Sequence, residues 1–189
     1  MKRFGILFAF VLLLGGCASV HMQEAAPEAS DATLSENQSV VVFFRDSILG
    51  AAIQAPVVEV TDAGVKFVGI VSSKAKVLYT TTPGKHSFVV GGESSHMLVA
   101  NLAPKKFYYV RVDPRIGFFK ARFGLEVMRG DEAGLRKVLS ECKWQKPGPS
   151  AQAWLLENKE SMEEKCKSAA EDSDKESLNP SDGFDVLIP

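Results

Sequence analysis

Hydrophobic and polar positions divide the chain into a β-rich region and a later helical region. Between residues 39 and 129, short runs rich in β-branched and aromatic residues are separated by turn residues. Runs of this kind at this spacing are typical of antiparallel sandwiches or open barrels. We therefore predict a mainly β fold, with an antiparallel β-sandwich of about seven to eight short strands over 39–129. The runs are SVVVFFR, APVVEV, VKFVGIVS, KVLYTTT, HSFVVGG, SHMLVANL, KFYYVRV and ARFGLEVM.

Turn signals support this division of the β region. The segment TDAG separates APVVEV from VKFVGIVS, which predicts a hairpin. Pro83 and Gly84 suit a type II turn, because Pro fixes φ and Gly accepts a positive φ. The first run, SVVVFFR, is apolar almost throughout, which predicts a strand buried on both faces.

The region from 130 to 170 has helical spacing, and we expect it to pack on the sandwich. Leu135, Val138, Leu139 and Cys142 fall on one helical face, with Asp131 as the N-cap. The segment 143–149, KWQKPGP, interrupts the pattern, and a second helix is predicted over 151–170. Residues 171–189 are mostly polar and acidic, which predicts a flexible tail. Its last residues, FDVLIP, are apolar enough to dock as an edge strand.

The N-terminus has the features of a secretory signal peptide over 1–16. Lys2 and Arg3 precede an apolar run from Phe4 to Leu14, which is too short to span a bilayer. The run ends in Leu14-Gly15-Gly16-Cys17, which resembles the lipobox of bacterial lipoproteins. The resemblance implies cleavage before Cys17, diacylglycerol on the Cys17 sulfur and membrane attachment through this lipid. With Ala18 in the next position, it also implies the periplasmic face of the outer membrane. The alternative is a secreted protein with a chance cysteine near the cleavage site.

Residues 17–38 are expected to form the lipidated cysteine and a disordered tether. The segment 18–38 contains four acidic and no basic residues and little that is apolar. A tether of this length has a reach of about 25 Å. It would hold the folded domain just off the membrane.

Charge and cysteine content narrow the function classes. The chain has 22 basic and 23 acidic side chains, and removal of Lys2 and Arg3 changes the net charge from −1 to −3. This balance does not suggest a nucleic-acid partner. Cys142 and Cys166 remain as a pair in an oxidising compartment, which predicts a disulfide. A tight helical hairpin would hold the two cysteines apart, so the bridge requires 143–149 to run nearly extended, or the second helix to start late or pack elsewhere.

Part of the β region resembles a known family. SVVVFFR, YTTTPGKHSFVV, APKKFYYVRVD and ARFGLEVM resemble the bacterial lipoprotein domain called domain-of-unknown-function family 2846. That family is similar in style to PEGA-like and carboxypeptidase-regulatory-like sandwich modules. The resemblance implies a compact sandwich in an envelope lipoprotein, with no catalytic residues assigned.

One strand and the loop after it supply a candidate binding surface. Phe107, Tyr109 and Arg111 share one face of their strand, an aromatic and Arg composition typical of interfaces. The loop DPRIGFFKA adds Arg115, Phe118 and Phe119. Alternatively, both faces of the strand are covered, and the loop folds back onto the core instead of touching a partner or membrane headgroups.

A second hypothesis concerns His86, His96 and Glu93. Two His and a carboxylate could hold zinc for a small metal-dependent hydrolase. However, the His residues lie ten apart across a Gly-Gly turn, without a recognised zinc motif. We therefore expect a non-catalytic binding or assembly module of the envelope, with a possible protein partner and with no cofactor or metal.

Overall fold

A computed structural model describes residues 19–25, 34–116 and 121–189. Their fold is mainly β, with eleven strands in two mixed sheets and three helices, of which the last two lie near the C-terminus. The predicted fold class is therefore confirmed. In chain order the elements are β1 (Met22–Glu24), β2 (Ser39–Arg45), β3 (Pro56–Thr61), β4 (Gly64–Ile70), β5 (Ala75–Thr81), β6 (Gly84–Val90), β7 (His96–Leu102), β8 (Phe107–Ile116), β9 (Ala121–Val127), α1 (Glu132–Ser140), β10 (Lys143–Pro147), α2 (Ala151–Glu157), α3 (Lys159–Glu171) and β11 (Lys175–Leu178).

The strands form two sheets, which we call sheet I and sheet II. Sheet I has the order β1-β10-β5-β2-β8-β9, and sheet II has the order β11-β7-β6-β3-β4. Within 39–129 the strand pairs are antiparallel as expected, except that β2–β8 is parallel. β10 and β11, which lie outside that range, also pair in parallel, with β5 and β7. The second strand of each of these pairs returns by a long connection, which a parallel pair requires.

The eight strands expected over 39–129 correspond to β2 through β9. The TDAG segment joins β3 and β4 in a hairpin, with Thr61 opposite Gly64. Gly64 and Gly84 have φ values of 113° and 117°, which a side chain at Cβ would disfavour. The turn at Gly64 fixes the register of the β3–β4 hairpin, whereas Gly84 follows the turn that carries the chain from β5 in sheet I to β6 in sheet II.

Three hydrophobic clusters arrange the fold in four layers. The largest cluster fills the space between the two sheets and includes Val41 and Phe43 of β2. Val40, Val42 and Phe44 face the other way and pack under Leu135 and Leu139 of α1. A third cluster lies between sheet II and the helices α2 and α3. The predicted burial of SVVVFFR on both faces is confirmed.

The first helix forms as the sequence predicts. The Asp131 carboxylate accepts a hydrogen bond from the Gly134 amide at 2.9 Å and caps the helix. Leu135 and Leu139 are buried on the face that meets sheet I. α1 thereby covers the outer surface of the central strand.

The predicted disulfide is wrong. Cys142 and Cys166 are both free and buried. Cys142 belongs to the cluster outside sheet I, and Cys166 belongs to the cluster outside sheet II. Two stacked sheets, roughly 10 Å apart, separate them, whereas a disulfide needs Cβ atoms about 4 Å apart. The second helix packs on the opposite side of the sandwich from α1.

Three segments expected to be irregular add strands to the sheets. Residues 22–24 of the expected tether form β1 against β10, with the Met22 side chain buried. The segment 143–149 contains β10, which pairs with both β1 and β5.

No helix in the described ranges is both long and apolar enough to cross a membrane.

The C-terminal tail is also more ordered than expected. β11 extends sheet II beside β7. The backbone of Phe184 exchanges two hydrogen bonds with that of Phe107, and the amide of the fully buried Ile188 donates to the Tyr109 hydroxyl at 2.6 Å. The terminal FDVLIP segment docks through these contacts without forming a full edge strand.

Burial of Ile188 gives a test of the ordered tail. We expect Ile188→Ala to lower the free energy of unfolding by about 2–4 kcal/mol, because it empties a buried site. Val186 is 55% exposed, so Val186→Ala should change stability by less than about 0.5 kcal/mol. Urea unfolding of both variants measures this difference, and equal stabilities would contradict the docked tail.

Candidate functional site

A large cleft lies between the helices on sheet II and two loops. It has a volume of about 600 Å³, within the range of small-molecule sites. The loop before β3 forms one wall with Ile53 and Gln54, and the β6–β7 loop forms another with Gly91 and Gly92. α2 and α3 close the cleft from the outside.

The floor of the cleft is apolar. Trp154 of α2 is half-buried and packs against Phe67, with the ring centroids 5.6 Å apart. Met162 of α3 is 2% exposed, and Pro56 lies beside it. An indole ring and a thioether present a polarisable surface that suits flat or apolar ligand groups.

A break between the two helices lies between these floor residues. The sequence predicts one helix over 151–170, but α2 ends at Glu157 and α3 starts at Lys159. Asn158 joins them, and both its backbone amide and its side-chain amide donate to the Trp154 carbonyl oxygen, at 3.0 and 2.9 Å. Trp154 and Met162, on either side of this break, line the same cleft.

Gly91 allows α3 to approach the sheet. A Cβ atom at this position would lie 3.2 Å from the Pro56 ring and 3.3 Å from the Met162 sulfur. Both distances are tighter than ordinary contacts. A larger residue would push Met162 away and open the base of the cleft.

The rim is polar. Lys165 donates from Nζ to the Gly92 carbonyl oxygen at 2.7 Å and ties α3 to the β6–β7 loop. Asn158, Ser161 and Glu93 complete this side of the cleft. An apolar floor with a polar rim can bind a ligand that is apolar on one side and polar on the other.

A buried arginine organises the loop that forms the first wall. Arg45 ends β2 and shares the inward face of Val41 and Phe43, and it is fully buried. Its guanidinium donates to the carbonyl oxygens of Leu49, Gly50 and Ile53, the last two at 2.8 Å. It also lies 5.0 Å from the centroid of the Phe123 ring. Burial lowers the pKa of Arg45.

The predicted binding surface is not exposed on β8. Phe107 and Tyr109 are 5% and 0% exposed and lie in the cluster beneath α1 and the C-terminal segment. Arg111 forms ion pairs with Asp46 at 3.3 Å and with Glu126 at 3.2 Å. The alternative, that both faces of this strand are covered, is the observed arrangement. Burial raises the pKa of Tyr109 to about 12.

Of the other three residues of that predicted surface, the structure describes Arg115. Residues 113–116, expected in a loop, extend β8 instead, and β9 begins at Ala121. Arg115 is exposed and lies 3.8 Å from Asp113 and 3.6 Å from Asp174. Phe118 and Phe119 lie outside the described residues, as does Cys17.

His86 belongs to a buried polar cluster instead of a metal site. Its Nδ1 lies 2.5 Å from Glu59 Oε1, and its Nε2 lies 2.8 Å from the Thr82 carbonyl oxygen. Both nitrogens of the ring therefore lie within hydrogen-bond distance of an oxygen. The Tyr79 hydroxyl donates to the second oxygen of Glu59, and Lys66 Nζ lies 3.9 Å from the same oxygen. The cluster links the two sheets.

His96 lies at the other end of the same strand pair. It pairs with Val90, four residues along β6 from His86, which is about 14 Å at the rise of a strand. His96 Nδ1 accepts the Leu125 amide at 3.0 Å and joins β7 to β9. Burial is the main cause that lowers the pKa of His96.

The hypothesis of a site made from His86, His96 and Glu93 is therefore wrong. The two imidazoles point to different partners at different ends of the sandwich, and Glu93 lies on the rim of the cleft. Within the described ranges, no group of three or more His, Cys, Asp and Glu side chains has a metal-binding arrangement.

Partial signals for the buried arginine and for the cleft are present in the sequence. Arg45 follows Val41 and Phe43 at a period of two, which places it on the core face. Trp154 and Met162 both lie in the second helix predicted over 151–170. Nothing local in the sequence indicates which loops face that helix.

Comparisons with known proteins do not assign the chain to a family. A scan against protein-family models found no match, and searches of curated proteins and of solved structures found no similar protein. The resemblance to family 2846 therefore stays a prediction.

The Glu59 cluster can be tested by an isosteric change. We expect Glu59→Gln to lower the free energy of unfolding by about 3–5 kcal/mol, because it removes the buried carboxylate that His86 and the Tyr79 hydroxyl both contact. Lys66 is 60% exposed, so Lys66→Gln should cost less than about 1 kcal/mol. Urea unfolding measures both, and a Glu59→Gln variant as stable as Lys66→Gln would contradict the buried pair.

His96 predicts a loss of stability in acid. Its folded-state pKa is below the ordinary 6.5, so the unfolded chain takes up a proton at a higher pH than the folded chain. The contribution is complete above pH 6.5 and is lost as the pH falls below that value. In His96→Gln, where the amide oxygen can still accept the Leu125 amide, the decline should be shallower. Urea unfolding between pH 7.5 and 5.5 measures both slopes, and parallel curves would be the contrary result.

Proposed function

We propose that this chain is a lipid-anchored envelope protein on the periplasmic face of the outer membrane, where it acts as a non-catalytic binding or assembly module. The observation that carries the proposal is the run Leu14-Gly15-Gly16-Cys17, which closes a short apolar segment behind Lys2 and Arg3. A single acyl chain binds membranes weakly, so two or three chains on Cys17 would make the attachment stable.

The cleft supports a binding role. Its apolar floor and polar rim can hold a ligand or peptide segment without any chemical step. Two of its polar groups already have structural roles, since Lys165 bonds the Gly92 carbonyl and Asn158 bonds the Trp154 carbonyl. These groups hold the walls in position, which suits recognition better than proton transfer.

Anchoring can be tested directly on the mature N-terminus. We expect the mature protein from bacterial membranes to begin at Cys17 and to carry an acyl mass, because the thiol is the acceptor of the lipid. Cys17→Ser should lose the acyl mass and retain residues 1–16. Cys166→Ser is the matched control and should keep both the acyl mass and the cleavage. Mass spectrometry of the N-terminal peptide is the measurement, and an unmodified mature terminus in the natural protein would refute the anchor.

A further inference from the structure

The loop from Ser47 to Gln54 exposes large apolar side chains. Ile48, Leu49 and Ile53 are 73%, 50% and 42% exposed. The sequence has no charged residue from Ser47 to Val58. Apolar side chains grouped on one exposed loop mark an interaction surface. Contact with water alone does not explain why the loop has apolar side chains at these positions.

The backbone of this loop bonds largely within its own segment. The Arg45 guanidinium donates hydrogen bonds to the carbonyl oxygens of Leu49, Gly50 and Ile53. The Ala51 amide donates to Ile48 at 3.1 Å, and the Ile53 amide donates to Gly50 at 2.9 Å. Backbone groups that enter hydrocarbon must be bonded internally, because lipid tails offer no partners. The carbonyl oxygens of Ile48, Leu49, Gly50 and Ile53 are bonded in this way.

The loop also lies on the side where the N-terminus enters the fold. The Trp154 ring is 6.2 Å from the His21 ring, centroid to centroid, and it shares the cleft with Ile53. Ser19 is already buried, and its carbonyl accepts the Met22 amide at 3.0 Å. Cys17 precedes Ser19 by two residues, which span at most about 7 Å.

This short span replaces the long tether expected from the sequence. A lipid on Cys17 would draw the region around His21 and Trp154 against the bilayer. Val20 and Leu156 of this region are 84% and 65% exposed. An indole at such a boundary fits the preference of Trp for the membrane interface.

We propose that the loop 47–54 inserts Ile48, Leu49 and Ile53 into the phospholipid bilayer that carries Cys17. This inference rests on the proposed lipid anchor and adds an orientation to it. Because the loop carries no charge, its insertion depends on neither headgroup charge nor salt. The mouth of the cleft then lies next to the lipid headgroups.

The test uses the mature acylated protein, which begins at Cys17, in phosphatidylcholine vesicles. A nitroxide is attached to Leu49→Cys, and the matched control is Val186→Cys, since Leu49 and Val186 are 50% and 55% exposed. Val186 follows Phe184, which pairs with the first residue of β8, at the end of the sandwich opposite Arg45. The buried Cys142 and Cys166 remain unlabelled in the native protein.

Spin relaxation by oxygen and by a water-soluble nickel chelate reports the depth of each label. We expect the label at 49 to be severalfold less accessible to nickel and severalfold more accessible to oxygen than the label at 186, at low and high salt alike.

Each other outcome overturns the proposal in a distinct way. Equal nickel accessibility at both positions, in protein that floats with the vesicles, would refute insertion and leave the lipid anchor intact. Absence of flotation and of an acyl mass would refute the anchor and the insertion together. Protection of position 49 in native envelopes but not in pure lipid would assign the loop to a protein partner instead of the bilayer.

Discussion

The double burial of β2 is the constraint on which the architecture depends. This strand is central in sheet I, and its apolar side chains alternate between two opposite faces. Burial of a large apolar side chain contributes about 1.5–3 kcal/mol, so neither face can be left in water. Sheet II covers the inward face, and α1 with the C-terminal segment covers the outward face. Sheet II then has an outer surface of its own, which α2 and α3 cover. The four layers follow because each apolar face of a sheet must be covered by another layer.

Hydrophobic patterning predicted β2 through β9 and α1, because each has enough apolar positions to reveal its period. β1, β10 and β11 were missed because MQE, KWQKP and KESL are short and mostly polar. Their order comes from backbone hydrogen bonds to distant strands and from a few buried side chains such as Met22 and Leu178. The disulfide prediction failed for a related reason. The spacing of two cysteines in the sequence does not show that the helices near them lie on opposite sides of a sandwich.

The candidate site was predicted less well than the fold. Phe107 and Tyr109 have interface-like composition, but their strand lies beside β2 and shares its double burial. His86 and His96 are ten residues apart in sequence, but the β6–β7 hairpin sends their rings to different partners. The cleft, in contrast, depends on where α2 and α3 cross sheet II, a long-range property that local patterns do not contain. Only Arg45 had a local signal, its alternation with Val41 and Phe43.

The pairing of β1 has a consequence for how the chain matures. Glu24 of β1 pairs with Gln145 of β10, 121 residues further along. Synthesis from the N-terminus produces β1 first, but the partner strand follows only after most of the sandwich strands. β1 therefore has no partner while those strands are being made. Under the anchoring that we propose, the sequence around the lipid acceptor would be open to processing enzymes during this interval, and docking of β1 would end it.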